Sequence, residues 1–221
     1  MKIAVITGAN RGIGLELVRA LKRNYRVYAV CRSSSPELDG EGVEVVDGIE
    51  LVDGDGIARL VGRLDGVEID LLINNAGLLR QSSLETIEGE LDDWRAQFEV
   101  NALAPVRVTA ALSDQLRTDA KVVIITSRMG SISDNSSGGA YAYRMSKAAV
   151  NSAGVSLAHD FKARGIAVGL FHPGYVRTGM TGGSGLVDPA ESAQGLTARI
   201  HELDLDTSGQ FRHANGDLLP W

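Results

Sequence analysis

Six short runs of the chain are apolar with few interruptions: KIAVIT (2–7), YRVYAV (25–30), VEVVDGI (43–49), IDLLIN (69–74), KVVIIT (121–126) and IAVGLFH (166–172). A strand covered on one face alternates apolar and polar residues. A run apolar on both faces belongs to a strand covered on both, as in a parallel sheet. Between the runs lie segments of helical length: 12–24, with apolar positions at 13, 17, 18 and 21, then 54–64, 90–117, 141–164 and 189–201. This alternation predicts an α/β doubly wound parallel sheet with right-handed crossovers and helices on both faces. The segment CRSSSPELDGEG (31–42) has room only for a turn or one helical coil, and SRMGSISDNSSGGA (127–140) reads as a loop. No internal repeat or linker divides the chain, so one domain spanning 1–221 is expected.

Composition narrows the partners. With 44% hydrophobic and 23% charged residues, the 221-residue chain suits a single soluble domain with a substantial core. The net charge is −6 and no Lys/Arg run occurs, which argues against nucleic acid; a bound anion must rely on local cations and backbone amides. Cys31 is the single cysteine, so no intrachain disulfide is expected, in keeping with a reducing cytoplasm. The opening MKIAVITGAN is too briefly apolar for a signal peptide or membrane span, and no membrane partner is expected. His159, His172, His201 and His213 lack metal-ligand spacing, and DGDG (53–56) lacks the further ligands of a calcium loop; no metal is expected. Trp94 and Trp221 read as packing residues.

The first run leads directly into TGANRGIG (7–14), which opens the first helix. Glycines 8, 12 and 14 permit a tight turn, close backbone approach to a ligand and close helix–strand packing, while the helix N-terminus offers free N–H groups to a diphosphate. An acid at the end of the second strand would bond a ribose 2′-hydroxyl. Here Cys31 is followed by Arg32 and Ser33, and Arg11 lies inside the glycine loop. Two guanidinium groups favour a 2′-phosphate, hence NADPH ahead of NADH.

In YRMSK (143–147), Tyr143 and Lys147 stand one helical turn apart on one face. An ammonium beside a phenol favours the phenolate and lowers its pKa. Tyr141, two positions earlier, points elsewhere on the helix.

TGANRGIG, NNAG (74–77), Asn101, Ser127, YRMSK and HPG (172–174), in that order, resemble the signatures of the short-chain dehydrogenase/reductase family over essentially the whole chain. TSRMGSISDNSSGGAYAYRMSK and GQFRHANGDLLPW look most like the branch containing the sniffer-type carbonyl reductases and the bacterial C-factor. The resemblance implies a Rossmann-type sheet of about seven strands, the last near 209–213. It implies that Gly8, Asn10, Arg11, Gly12, Ile13 and Gly14 hold the cofactor, with Arg32 and Ser33 at its 2′ position. Asn75, Ala76 and Gly77 would touch the adenosine half, and an acid after the third strand would reach the adenine: Glu50 with Leu51, or Asp47. Pro173, Gly174, Val176 and Thr178 would turn the chain around the carboxamide.

For catalysis the family pattern carries over to four positions. Tyr143 is the general acid/base; Lys147 lowers its pKa and bonds the nicotinamide ribose. Ser127 polarises the substrate carbonyl, with Ser131 as the second choice, and Asn101 distorts its helix and holds a water next to the lysine. The implied activity is NADPH-dependent reduction of an aldehyde, ketone or quinone. The alternative is a cofactor-binding signalling or regulatory protein of C-factor type with little turnover. The family also implies a homodimer or homotetramer formed through helices 90–117 and 141–164. The glycine-rich 175–188 is expected to be a brief cover over an open pocket.

Overall fold

In the computed structural model, which describes all residues Met1–Trp221, the apolar runs become strands of one sheet. The strands are β1 (Lys2–Thr7), β2 (Tyr25–Val30), β3 (Glu44–Val46), β4 (Ile69–Asn74), β5 (Leu116–Ile125), β6 (Ala167–His172) and β7 (Phe211–His213). They are ordered β3-β2-β1-β4-β5-β6-β7 and every pairing is parallel. Sheet growth reverses beside β1, flanked by β2 and β4, so the carboxyl ends of β1 and β4 bound a crevice where such sheets bind ligands.

Helices α1 (Gly12–Leu21), α2 (Pro36–Asp39), α3 (Gly54–Arg63), α4 (Ile87–Phe98), α5 (Ala104–Ala111), α6 (Tyr141–Phe161) and α7 (Pro189–Glu202) complete the chain. Their packing explains why the strands do not alternate. Ala4, Ile6, Leu71 and Ile73 pack with Leu17, Val18 and Leu21 of α1 and Leu196 and Ile200 of α7. Val5 and Leu72, one position along the same strands, pack instead with Leu60, Val108 and Phe161 of α3, α5 and α6. Successive strand side chains therefore enter two different cores, each large side chain contributing about 1.5–3 kcal/mol on burial. No helix is long and apolar enough to cross a membrane.

Two stretches depart from the expected elements. The segment read as one helix over 90–117 is α4, a π-helical turn over Glu99–Leu103, and α5, which ends at Ala111. Leu116–Ala120 then belongs to β5, with Leu116 and Ala120 buried and 117–119 exposed. Its pairing with β4 shifts between Ile69↔Leu116 and Leu71↔Lys121, and Asp119 takes a left-handed φ of 66° there. The third strand spans three residues rather than 43–49, because Gly48 turns the chain at φ 69°. The segment 31–42 holds only the short α2, as its length requires.

Gly14 is where α1 docks on the sheet's edge loops. A Cβ there would lie 2.2 Å from the Gly8 carbonyl oxygen and 2.6 Å from Asn75 Nδ2. Backbone cannot yield as a side-chain tip can, so Gly14→Ala is expected to cost about 1–3 kcal/mol. Thermal unfolding should show a Tm lower by roughly 2–4 °C per kcal/mol; an unchanged Tm would remove this contact from the account.

Candidate active site

The glycine loop and the NNAG turn are fastened together. Thr7 Oγ1 accepts from the backbone N–H groups of Asn75 (3.0 Å) and Ala76 (3.1 Å), and Asn75 Nδ2 donates to the carbonyls of Thr7 (2.9 Å) and Gly8 (3.1 Å). Gly8 and Gly12 have φ of 64° and 56°, the left-handed region that favours glycine. Arg11 caps α1 without a side-chain hydrogen bond, which leaves first-turn amides for an anion. Across the crevice, a Cβ on Gly12 would stand 3.4 Å from Thr178 Cγ2, so this loop and the β6–α7 connection face each other.

Beyond β2 the loop is tied to the next segment: Asn10 Nδ2 donates to the Ser33 carbonyl (2.9 Å) and Ser35 Oγ to the Asn10 carbonyl (2.8 Å). Backbone bonds from Gly48 to Arg32 (3.1 Å) and from Ile49 to Cys31 (3.1 Å) bring the ends of β2 and β3 together. Glu50 thereby comes within 3.7 Å of the Arg32 guanidinium, which is largely exposed. Leu51 is buried and Asp47 exposed. The first-turn amides of α1 and the exposed Arg32 guanidinium are the groups at this edge that could hold an anion.

The second part of the site lies at the carboxyl ends of β5 and β6. Ser127, two residues past β5, is buried, and its Oγ accepts from the Met129 N–H (3.1 Å), starting a single 3-10 turn over Arg128–Gly130. That turn docks on α6: a Cβ on Gly130 would meet the Lys147 main chain at 2.8 Å. Tyr143 and Lys147 are buried on one face of α6, with Lys147 Nζ 5.8 Å from the centre of the Tyr143 ring. Lys147 Nζ donates to the Ile125 carbonyl at 3.0 Å. Ser131 is buried but its Oγ is engaged with the Asp134 N–H, and it does not line the cavity that Ser127 lines.

Asn101 sits at the centre of the π turn, 1% exposed. Its Oδ1 accepts from the Leu78 N–H (2.7 Å) and its Nδ2 donates to the Leu78 carbonyl (2.7 Å) and Ser146 Oγ (3.0 Å). It joins the NNAG segment to α6 and makes no hydrogen bond to Lys147.

Burial dominates the electrostatics. It lowers the Lys147 pKa to about 8. It also raises the Tyr143 pKa above the ordinary tyrosine value, the Ser127 hydroxyl pulling the other way. The expectation of a phenol acidified by its lysine is therefore corrected for the protein alone: removal from water outweighs the Ser127 hydrogen bond, and the phenol is less acidic than in water.

Ser127 and Tyr143 open on a cavity of about 530 Å³. Ile13, Pro173, Gly174, Val176 and Thr178 line it, and Arg128, Asp134, Ser136 and Arg144 are also in its wall. The sequence reading missed this charged wall, though SRM and YRM place arginines directly after the serine and the tyrosine. It also passed over His172, whose pKa falls to about 3, chiefly through burial and then through the charge of His213. Tyr141 stacks on Trp94 at 6.1 Å.

A buried ammonium with one protein hydrogen bond costs stability while it is charged. At neutral pH, Lys147→Met is expected to raise the stability of the chain by on the order of 1–3 kcal/mol. From pH 8 to the unfolded lysine value near 10.4, wild-type Lys147 is already neutral when folded but protonated when unfolded, so wild type gains stability and the difference shrinks. Denaturant melts of both proteins at pH 7 and pH 10 check this; a difference that grows with pH contradicts it.

The family model for short chain dehydrogenase matches residues 2–186. The chain is 36% identical, over all of both chains, to 1-hydroxy-2-glutathionyl-2-methyl-3-butene dehydrogenase of Rhodococcus sp. strain AD45. It is 43% identical to the C-signal protein of Myxococcus xanthus across 69% of this chain and 93% of that one. The NADPH-bound carbonyl reductase from chicken fatty liver superposes over the full length of both chains with a TM-score of 0.86 at 28% identity. With its seven-stranded parallel sheet and these matches, the chain belongs to the short-chain dehydrogenase family.

Proposed function

We propose that the chain is an NADPH-dependent oxidoreductase that reduces an aldehyde, ketone or quinone carbonyl to an alcohol. The observation that carries this reading is that Ser127 and Tyr143 line one cavity together with the residues that turn the chain after β6, while Lys147 is buried beside the Tyr143 ring. The full-length likeness to an NADPH-bound carbonyl reductase supports it.

When bound, the reduced nicotinamide supplies a hydride. Gly8, Asn10, Arg11, Gly12, Ile13 and Gly14 would receive its diphosphate half, and Pro173, Gly174, Val176 and Thr178 its carboxamide. Asn75, Ala76, Gly77, Glu50 and Leu51 would border the adenosine. Arg32 would exchange the Glu50 carboxylate for a 2′-phosphate, for which its planar fork is suited, with Ser33 beside it.

The protein's own part is placement and proton transfer. Ser127 Oγ donates to the substrate carbonyl oxygen and fixes its direction. Tyr143 holds its proton because burial disfavours phenolate, and it releases that proton to the same oxygen as negative charge develops there. Lys147 has three N–H donors and gives one to Ile125; the others serve the ribose and stabilise the phenolate left after transfer. Asn101 keeps α6 and the NNAG segment in register, so the proton donor and the cofactor wall stay aligned. The same groups run in reverse oxidise an alcohol, and the Rhodococcus relative is named a dehydrogenase. In an oligomer, α4 and α6 would pair across a two-fold axis.

The likeness to C-signal favours a second reading, a signalling protein that binds the cofactor with little turnover. Tyr143→Phe separates the two. Removing the proton donor is expected to lower kcat/KM for carbonyl reduction by about 10²- to 10⁴-fold; equal turnover by both proteins in an NADPH oxidation assay contradicts the mechanism. In the same assay, Arg32→Asp is expected to raise KM for NADPH at least tenfold more than KM for NADH. An unchanged ratio removes Arg32 from the 2′-phosphate site.

A further inference from the structure

The cavity holding Ser127 and Tyr143 is chemically divided. Ile13, Pro173, Gly174, Val176 and Thr178 belong to the elements that would hold the cofactor. The charged groups in the wall come from the β5–α6 connection and the start of α6: Arg128 and Arg144 against one carboxylate, Asp134. The balance is positive, in a chain whose net charge is −6.

The two arginines are held differently. Arg144 is spent on the loop: Nε donates to the carbonyls of Gly138 (3.3 Å) and Gly139 (3.2 Å), Nη1 to that of Met129 (3.4 Å) and Nη2 to Ser137 Oγ (2.9 Å). Arg128 donates only through Nε, to the Asp134 carboxylate, and its side chain is 56% exposed. Asp134 is held in turn through its own N–H, which donates to Ser131 Oγ (3.1 Å). Arg128 is thus a cation fixed at one nitrogen, with both terminal nitrogens unused by the protein, one residue along from Ser127. A guanidinium so anchored presents a planar pair of donors at little entropic cost, the arrangement that suits a carboxylate.

We propose that Arg128 selects substrates carrying a carboxylate, which it binds while Ser127 and Tyr143 engage the reacting carbonyl. The proposal rests on the carbonyl-reductase reading for the identity of the reacting group, but the anion site itself stands on the wall's charges. Asp134 plays two parts: it orients Arg128, and it competes with the incoming carboxylate for the same guanidinium.

The test uses NADPH with 4-formylbenzoate and its methyl ester, a pair differing in charge at the far end from the aldehyde. The readout is the ratio of their kcat/KM values. Wild type is expected to prefer the acid at least tenfold, and Arg128→Met to lower the ratio about 10- to 100-fold, the loss of a charge-assisted pair. Asp134→Asn should move the ratio upward, an effect general damage to the loop does not produce. A wild-type ratio near one, an Arg128→Met ratio equal to wild type, or an Asp134→Asn ratio below wild type would overturn the proposal. Benzoate against benzamide reads the same cation without turnover. Benzoate is expected to raise the Tm of wild type more than benzamide does, and Arg128→Met to erase the difference; equal shifts in wild type overturn the proposal. If no carbonyl is reduced yet benzoate alone stabilises wild type through Arg128, the reductase reading fails and the anion site holds.

Discussion

The ε-ammonium of Lys147 lies almost wholly out of water, with the Ile125 carbonyl at the end of β5 as its one hydrogen-bonded protein partner. Burying a charge is costly enough that a chain selected for stability alone would place an apolar residue there. Much of the surrounding structure keeps this group in place. Gly130 lets the turn after Ser127 close directly on the Lys147 main chain. Thr126 Oγ1, on the next residue of the β5 exit, donates to Asn151 Oδ1 (2.6 Å), one turn further along α6. Asn101 holds α6 from the other side through Ser146. The lysine and the phenol are therefore mounted on a helix locked to the end of β5, and the serine follows two residues after that strand.

The sheet supplies the rest. Because β1, β4, β5 and β6 each feed two cores, they are packed on both faces, and their carboxyl ends all open on one edge. At that edge Thr7 and Asn75 join the glycine loop to the NNAG turn, while Thr178 reaches toward Gly12. Ile13 of the glycine loop and Thr178 of the β6–α7 connection also line the cavity that holds the two hydroxyls.

Where periodicity and spacing carry the information, the chain is legible as sequence. Nearly continuous apolar runs announce strands buried on both faces, glycines 8, 12 and 14 sit where the backbone requires them, and Tyr143 and Lys147 share a face because one helical turn separates them. Other features depend on tertiary context. Residues 116–120 continue a helix-length segment, and only pairing with β4, with a left-handed Asp119, makes them strand. The polarity of LRTDAK hides Leu116 and Ala120, whose burial comes from the sheet. The direction of the Tyr143 shift was misjudged because a neighbouring charge is visible in sequence and desolvation is not. Arg128 looked like one arginine among many until the fold set it in the wall with both terminal nitrogens unused, and His172 drew no notice until the fold half-buried its ring edge-on to His213.

The central claim is that one carbonyl oxygen is held by Ser127 and receives its proton from Tyr143. The most direct measurement is a crystal structure of the protein with NADP⁺ and a carbonyl-bearing ligand. The account predicts the ligand oxygen within about 2.6–3.2 Å of both hydroxyls, on the nicotinamide side of the cavity. A ligand whose carbonyl points away from both, or a Tyr143 hydroxyl cut off from the nicotinamide by protein, would contradict it.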